Sequence, residues 1–454
     1  MKNTIDLTEK YINKHANDKK EYYPSSYHFM PQTGWVNDPN GVCYFRGEYH
    51  LFYQYNPYDV VWHAPYWGHA VTKDFITYKY LPAGLAPSET LKYGCFSGGA
   101  ISANNKIYLC YTRHYDLENS RLEVQHLATS SDGISFTDTA EPILSQEHLR
   151  EGDCKQDFRD PNPVEIDGVY YVCVGNKTND GKGQMLVYAS KDLVTFEYHM
   201  TIRHEAFGTM LECPDVFRLN NKDVVVFSSI GYEKSSSPNG EKHGSYALIG
   251  NIDYKNKIYN FENIIRLDYG TDFYAPQSLD TPDGRRVMFG WLDLWNNSSH
   301  MRDIKNNTSG RYALPRELVL IDNNLHIKPV KEIYGFMHDD LKIKNGATIQ
   351  KNFYLKAKFT PGSRFKLFDD SGFVEIEKVD GEIHLILNQT NHLKCTRTSP
   401  CANDCEVEIF SDHGSIEIFC SNGKVASAQV LLPSAQLGVF IEGAIEIIDT
   451  KIIN

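Results

Sequence analysis

The chain of 454 residues has no apolar run of roughly 18 residues, which excludes a conventional membrane-spanning helix. Its opening stretch, MKNTIDLTEKYINKHANDKKEYYP, lacks the apolar centre of a secretory signal and reads as a polar helix or frayed arm. The mature protein is therefore expected in the cytoplasm. Dense Lys/Arg blocks are missing as well. With 58 acidic against 46 basic residues and a formal charge of -12, neither nucleic acid nor a membrane surface is an expected partner. None of the 10 cysteines forms a C-x-x-C pair, and so few thiols in a chain this long make no disulfide framework. Cys395, Cys401 and Cys405 lie closer together, but no histidine or fourth thiol stands at ligand spacing. They read as buried reduced thiols, with no metal. Tryptophan is scarce, and all five (Trp35, Trp62, Trp67, Trp291, Trp295) fall in the first two thirds of the chain.

What is present points to strands. A chain of this length exceeds the size at which a single core stops growing, so two domains are expected, one of them large. The 29 Tyr and 23 Phe suit many short strands better than long helices, giving an all-β expectation. Strand pairs separated by turn residues start near Gly41, Gly98, Asp160, Glu212 and Ala275, a spacing of roughly 60 residues that reads as five blades of a β-propeller. A single blade cannot bury both faces. Radial stacking solves that, and it brings the heads of the innermost strands together on one channel. After Glu332 the texture changes to short alternating runs, FYLKAKF, VEIEKV, EIHLILN and SIEIFC, which suggest a β-sandwich. The expected division is an N-terminal arm over 1–24, a five-bladed propeller over 25–316, a connector over 317–334 and a sandwich over 335–454. The chemistry is assigned to the propeller, because the sandwich has no tryptophan.

Three stretches set a carboxylate near a proline: Asn37-Asp38-Pro39, Arg159-Asp160-Pro161 and Glu212-Cys213-Pro214. Proline pushes the preceding residue toward extended backbone, so these acids are expected to have little freedom. Each alone is a common turn opener, but all three open blade units. Cleaving a glycosidic bond needs one carboxylate to attack or to activate water and a second carboxyl to protonate the leaving oxygen. Glu212, with its longer reach, suits the second role. A third acid could bind sugar hydroxyls, and Arg159 is expected to keep Asp160 ionised. Trp35, Trp62, Trp67 and Phe96 offer flat faces for a sugar ring, and Asn37, Gln54, Ser97 and His69 offer polar partners. Trp67 and His69 fit ordinary packing equally well.

The series WVNDPNG (35–41), FYQYNP (52–57), WGHAVTKD (67–74), GCFSGGAI (94–101), FRDP (158–161) and ECPD (212–215) resembles, in this order, the motifs of glycoside hydrolase family 32. LPREL (314–318) and SIEIFCSNGKVASAQVLLP (415–433) extend the resemblance over most of the chain. It implies a five-bladed β-propeller with a β-sandwich and retaining hydrolysis of terminal β-fructofuranosyl bonds through a covalent fructosyl-enzyme. The partner implied is a small carbohydrate, sucrose or sucrose 6-phosphate. By the same resemblance Asp38 is the nucleophile, Glu212 the acid/base and Asp160 the transition-state stabiliser. Asn37, Gln54, Trp62, Phe96, Ser97 and Arg159 line the fructosyl subsite, with Trp35, Tyr274 and Trp291 as further sugar-binding candidates. No cofactor or metal is implied. Val36 stands where the family often has Met and Gly99 where it often has Ser, which bears on fine substrate preference. Arg302, Lys305 and Arg311 are candidates for a phosphate subsite. Alternative readings are a fructan exo-hydrolase, an inverting five-bladed arabinan hydrolase with more widely spaced acids, and a sugar-binding protein with a vestigial site.

Overall fold

The protein is described from a computed structural model, which covers residues 2–16, 18, 20–232, 243–293, 298–390 and 393–453; Trp295 lies outside the described residues. Five antiparallel sheets open with the strands Gly34–Phe45, Tyr93–Ala103, Asp153–Ile166, Met210–Leu219 and Tyr274–Asp280, hereafter the inner strands of blades I to V. These five strands pack side by side in a closed ring. The expected five-bladed β-propeller is present, and all five anticipated unit starts lie within its inner strands.

Local chemistry sets the hairpins. In blades I to IV the inner strand turns into the second over two residues with positive φ: Arg46-Gly47, Asn104-Asn105, Asp167-Gly168 and Asn220-Asn221. Two successive left-handed residues match the right-handed twist of the flanking strands, and Asn, Asp and Gly tolerate that conformation best. The ring closes in blade I. There Thr308–Ser309, from the segment between the second and third strands of blade V, pairs in parallel with Gly34 and Trp35.

One stretch differs from the sequence reading. Residues 317–334, read as a connector, carry most of the two outer strands of blade V, Arg316–Ile321 and Asn324–Pro329. Their turn, Asp322-Asn323, and their alternating burial make them ordinary blade strands. The N-terminal arm is a helix, Lys2–His15, which lies against the outer strand of blade I and buries Ile12. Beyond it the chain docks on the closing segment, where Asn307 Nδ2 donates to the carbonyls of Ala16 and Gln32. No described helix is long and apolar enough to cross a membrane.

The C-terminal region forms two six-stranded antiparallel sheets with a shared apolar core that includes Phe353, Phe365, Leu385 and Ile418, the expected β-sandwich. It meets the propeller through buried charge. His28 Nδ1 lies 2.8 Å from Asp412 and its Nε2 2.9 Å from Glu417, while Arg316 Nη2 reaches Glu417 at 2.8 Å and Asp268 at 2.9 Å. Burial alone would push the imidazole pKa down. The two carboxylates override it and hold His28 above its ordinary value, while Asp412 and Glu417 stay below theirs despite burial.

Removing one member of such a cluster leaves its partners buried and uncompensated. Glu417→Ala is expected to cost about 3–5 kcal/mol in urea denaturation at neutral pH. The contribution of His28, whose folded pKa is raised, is present below its unfolded value near 6.5 and fades as pH rises through the folded value. The stability gap between wild type and His28→Gln should therefore be larger at pH 6 than at pH 9. A gap that does not change with pH would show that His28 is neutral in the fold.

Candidate active site

Every inner strand carries one extra residue at the same height. The ladder slips at Asn37–Asp38, Ser97, Asp160–Pro161, Cys213–Pro214 and Ala275–Pro276. Such bulges bend the strand and re-aim side chains, and here they turn polar groups from five blades toward one cavity. Asp160, Cys213 and Ala275 have φ of 60°, 49° and 50°. Prolines follow all three, so the extended backbone expected before proline is overturned at Asp160. The strain is held by hydrogen bonds: the Asp160 N–H donates to Thr112 Oγ1 at 3.0 Å, that of Cys213 to Asp160 Oδ2 at 2.9 Å, and that of Ala275 to Ser228 Oγ at 2.9 Å.

The cavity, of about 360 Å³, is lined by Asp38, Asp160 and Glu212 together with Asn37, Gln54, Trp62, Phe96, Ser97, Arg159 and Tyr274. Asp38 accepts from Ser97 Oγ at 2.6 Å and from Asn37 Nδ2 at 3.1 Å. Glu212 accepts from Arg159 at 3.0 and 3.2 Å through Oε1 and from Tyr274 Oη at 2.7 Å through Oε2. The Cys213 thiol bridges the other two acids, 3.7 Å from Asp38 and 3.6 Å from Asp160. Gln54 is held by a bond from its Nε2 to the Cys95 carbonyl, 2.9 Å. Trp62 stands edge-on to Phe96 and is 41% exposed, leaving an aromatic face at the cavity mouth.

Other candidates stand elsewhere. Trp35 and Trp291 are fully buried behind the wall and pack edge to face at 5.6 Å, so neither can touch a sugar. Trp35 acts on Asn37, donating from Nε1 to Oδ1 at 2.9 Å and so aiming the amide nitrogen at Asp38. Trp67 and His69 are also core residues; Trp67 donates to the Phe96 carbonyl, and His69 pairs with His50. Arg302, Lys305 and Arg311 line neither this cavity nor a second one that shares Trp62, Phe96 and His114 with it. Arg311 is buried against the Tyr23 carbonyl, and Arg302 faces Asp59. Gly99 has a steric reason: a Cβ there would lie 2.1 Å from Asn162 Oδ1.

Several lining groups escaped sequence reading. Glu123, from the third strand of blade II, bonds Arg159 at 3.2 Å and the His114 ring at 3.1 Å, and His114 stacks on Phe96 with centroids 4.0 Å apart. The same Arg159 nitrogen, Nη1, also donates to Asp157 at 2.7 Å. The sequence offered little signal for Glu123, which alternates with Arg121 and Gln125 on one face of a strand of mixed polarity. Arg159 is thus committed to Glu212, Glu123 and Asp157, and the expectation that it keeps Asp160 ionised fails. Burial pushes the Asp160 carboxyl up to about 7, with Arg159 pulling down and Glu212 and Asp38 adding to the rise. Asp38 is likewise pushed up to about 6 by burial, against the pull of Ser97, with Glu212 adding to the rise.

Residues 28–329 match the description "Glycosyl hydrolases family 32 N-terminal domain". The chain belongs to glycoside hydrolase family 32. Among its relatives, the sucrose-6-phosphate hydrolase of Zymomonas mobilis is 33% identical over 443 residues, covering 88% of this chain and 84% of that protein. The sucrose-6-phosphate hydrolase of Bacillus subtilis is 31% identical over 430 residues, with 88% and 86% covered. Of the solved structures, a Bombyx mori family 32 β-fructofuranosidase superposes with a TM-score of 0.89 at 26% identity, covering 100% of this chain and 98% of that one. A mutant of that enzyme was solved in complex with sucrose. The chain is a family 32 glycoside hydrolase of the β-fructofuranosidase type.

Because the Asp38 carboxylate forms as pH rises through about 6, kcat/KM should fall on the acid side of that value. Ser97→Ala removes a donor to the charged form and should move this acid limb upward by about one pH unit. A pH profile in which the limb stays put would show that Ser97 does not set the charge of Asp38.

Proposed function

We propose that this enzyme removes a terminal β-D-fructofuranosyl unit with retention of configuration, acting on sucrose 6-phosphate in preference to sucrose. The observation that carries the reading is the convergence of Asp38, Asp160 and Glu212 on one cavity of about 360 Å³, room for a single sugar ring. In the first step the Asp38 carboxylate attacks the anomeric carbon of the fructosyl unit. Glu212 gives its proton to the glycosidic oxygen, and the leaving sugar departs as an alcohol. In the second step Glu212, now a carboxylate, takes a proton from water; the oxygen attacks the same carbon and Asp38 leaves as a carboxylate. Two opposed displacements retain the configuration. Asp160, held by the Cys213 N–H, is placed to accept from sugar hydroxyls as positive charge develops on the ring.

The leaving sugar faces a second, outer cavity of about 810 Å³ that shares Trp62, Phe96 and His114 with the first. Lys92, a cation not engaged by the acids around Arg159, and the His63 ring line it, and they suit a phosphate on the leaving sugar. The names of the relatives support the same preference. The outer cavity also has room for further fructosyl units, which keeps a fructan exo-hydrolase as the second reading.

Asp38→Asn and Glu212→Gln should each lower turnover on the order of a thousandfold or more. Near-normal turnover in Asp38→Asn would sink the nucleophile assignment. Comparing kcat/KM for sucrose, sucrose 6-phosphate and inulin tests the substrate. The phosphorylated sugar should lead by about tenfold or more, and Lys92→Ala should erase that lead while leaving sucrose unaffected. A ratio near one in the wild type refutes a phosphate subsite, and an inulin value above both favours the fructan reading.

A further inference from the structure

The sandwich holds a cluster of soft ligands that the hydrolytic site does not use. Cys401 and Cys405 stand at the two ends of the loop before strand Glu406–Asp412, and Cys420 closes strand Ser415–Cys420. The sequence grouped Cys395 with the first two. The fold replaces it with Cys420, because the hairpin returns that residue to the loop. All three thiols are buried and unbridged, and their sulfur atoms lie within 4.8 Å of one another. A tetrahedral zinc ion with Zn–S bonds of about 2.3 Å sets its sulfurs roughly 3.8 Å apart, so small side-chain rotations suffice. Ser421 Oγ, 3.0 Å from Cys405 Sγ, stands where a fourth ligand or its supporting water belongs.

A second observation concerns charge. Lys378 is 1% exposed, and its ammonium donates to the Cys401 carbonyl at 2.7 Å, to the Val379 and Glu382 carbonyls and to Asn403 Oδ1. All four acceptors are neutral. None of the partners described for it is a carboxylate. A buried ammonium without a counter-charge is costly. Three thiolates around one zinc ion carry a net charge of minus one and would supply that counter-charge beside the loop that Lys378 grips.

We propose that Cys401, Cys405 and Cys420 form a structural zinc site in the sandwich, completed by the Ser421 hydroxyl or a water. Binding converts three thiols to thiolates and releases three protons to solvent, so it weakens as pH falls. The ion clamps the 401–405 loop to the turn after Cys420. That turn docks on blade V, where the Ile327 N–H donates to the Gly423 carbonyl at 3.1 Å. The site thus braces one contact between the two domains.

The test is metal analysis of the full chain, purified without a chelating tag from zinc-supplemented medium and dialysed. About one zinc per chain is expected, and the cobalt-loaded protein should show thiolate-to-cobalt charge-transfer absorption with tetrahedral visible bands. Cys405→Ser should lose both signals, whereas Cys154→Ser, in blade III, should keep them. If Cys405→Ser does not fold, the cobalt spectrum of the unaltered chain decides. Zinc far below one equivalent without a cobalt–thiolate band overturns the proposal, as does metal retained by a folded Cys405→Ser. So does copper as the sole bound ion, or a disulfide between any two of the three found by mass spectrometry.

Discussion

Gly34 and Trp35 pair in parallel with Thr308 and Ser309, and on that short bridge the whole ring closes. The geometry around it tolerates little change. Gly310 has a φ of 82°, and a Cβ there would lie 2.1 Å from the Val36 carbonyl oxygen. Asn307 meanwhile binds the incoming arm at two carbonyls. Closure fixes the radius of the channel, and the radius fixes how near acids from blades I, III and IV can come. A propeller left open at this seam would keep five folded sheets and lose the site.

Within the closed ring, charge is managed by sharing. Arg159 binds Glu212 from blade IV, Glu123 from blade II and Asp157 from its own strand, so one guanidinium ties three blades together. Its planar set of five donors suits that task in a way a lysine could not match. With the cation so occupied, Asp38 and Asp160 sit in a buried, mutually repelling pair whose pKa values rise. The Cys213 thiol, a weak donor, is the group in contact with both. Neutral donors, Ser97 and Asn37, therefore contact Asp38, while the guanidinium is spent on Glu212.

The fold was legible because its repeats are chemical. Asp38-Pro39, Asp160-Pro161, Cys213-Pro214 and Ala275-Pro276 recur at the bulge of four blades, and the period-2 runs after residue 335 announced the sandwich. The three acids were readable for the same reason, and most of the lining, Asn37, Gln54, Trp62, Phe96, Ser97, Arg159 and Tyr274, through the resemblance to the family's motifs. What escaped depends on contacts between distant strands. Glu123 in a strand reads as a solvated residue until Arg159 arrives from another blade. Trp35 and Trp291 look like sugar platforms until the ring buries them against each other. The left-handed backbone of Asp160 runs against the local rule for a residue before proline, and tertiary hydrogen bonds impose it. The run of strands in 317–334 lost its identity because LPREL marks the middle of a blade and not its end.

The closing bridge also has a consequence in time. Gly34 and Thr308 are 308 - 34 = 274 positions apart, so during synthesis at about 5–20 residues per second the first blade waits on the order of a quarter of a minute to a minute for its last strand. Over that interval one edge of Gly34–Phe45 has no partner, and an unpaired edge invites association with other chains. His28 waits longer still, since its partners Asp412 and Glu417 follow Thr308 by roughly a hundred residues. The nascent chain must therefore carry Asp38 on an incomplete blade until Thr308 and Ser309 emerge, an interval in which this architecture is exposed to misassembly.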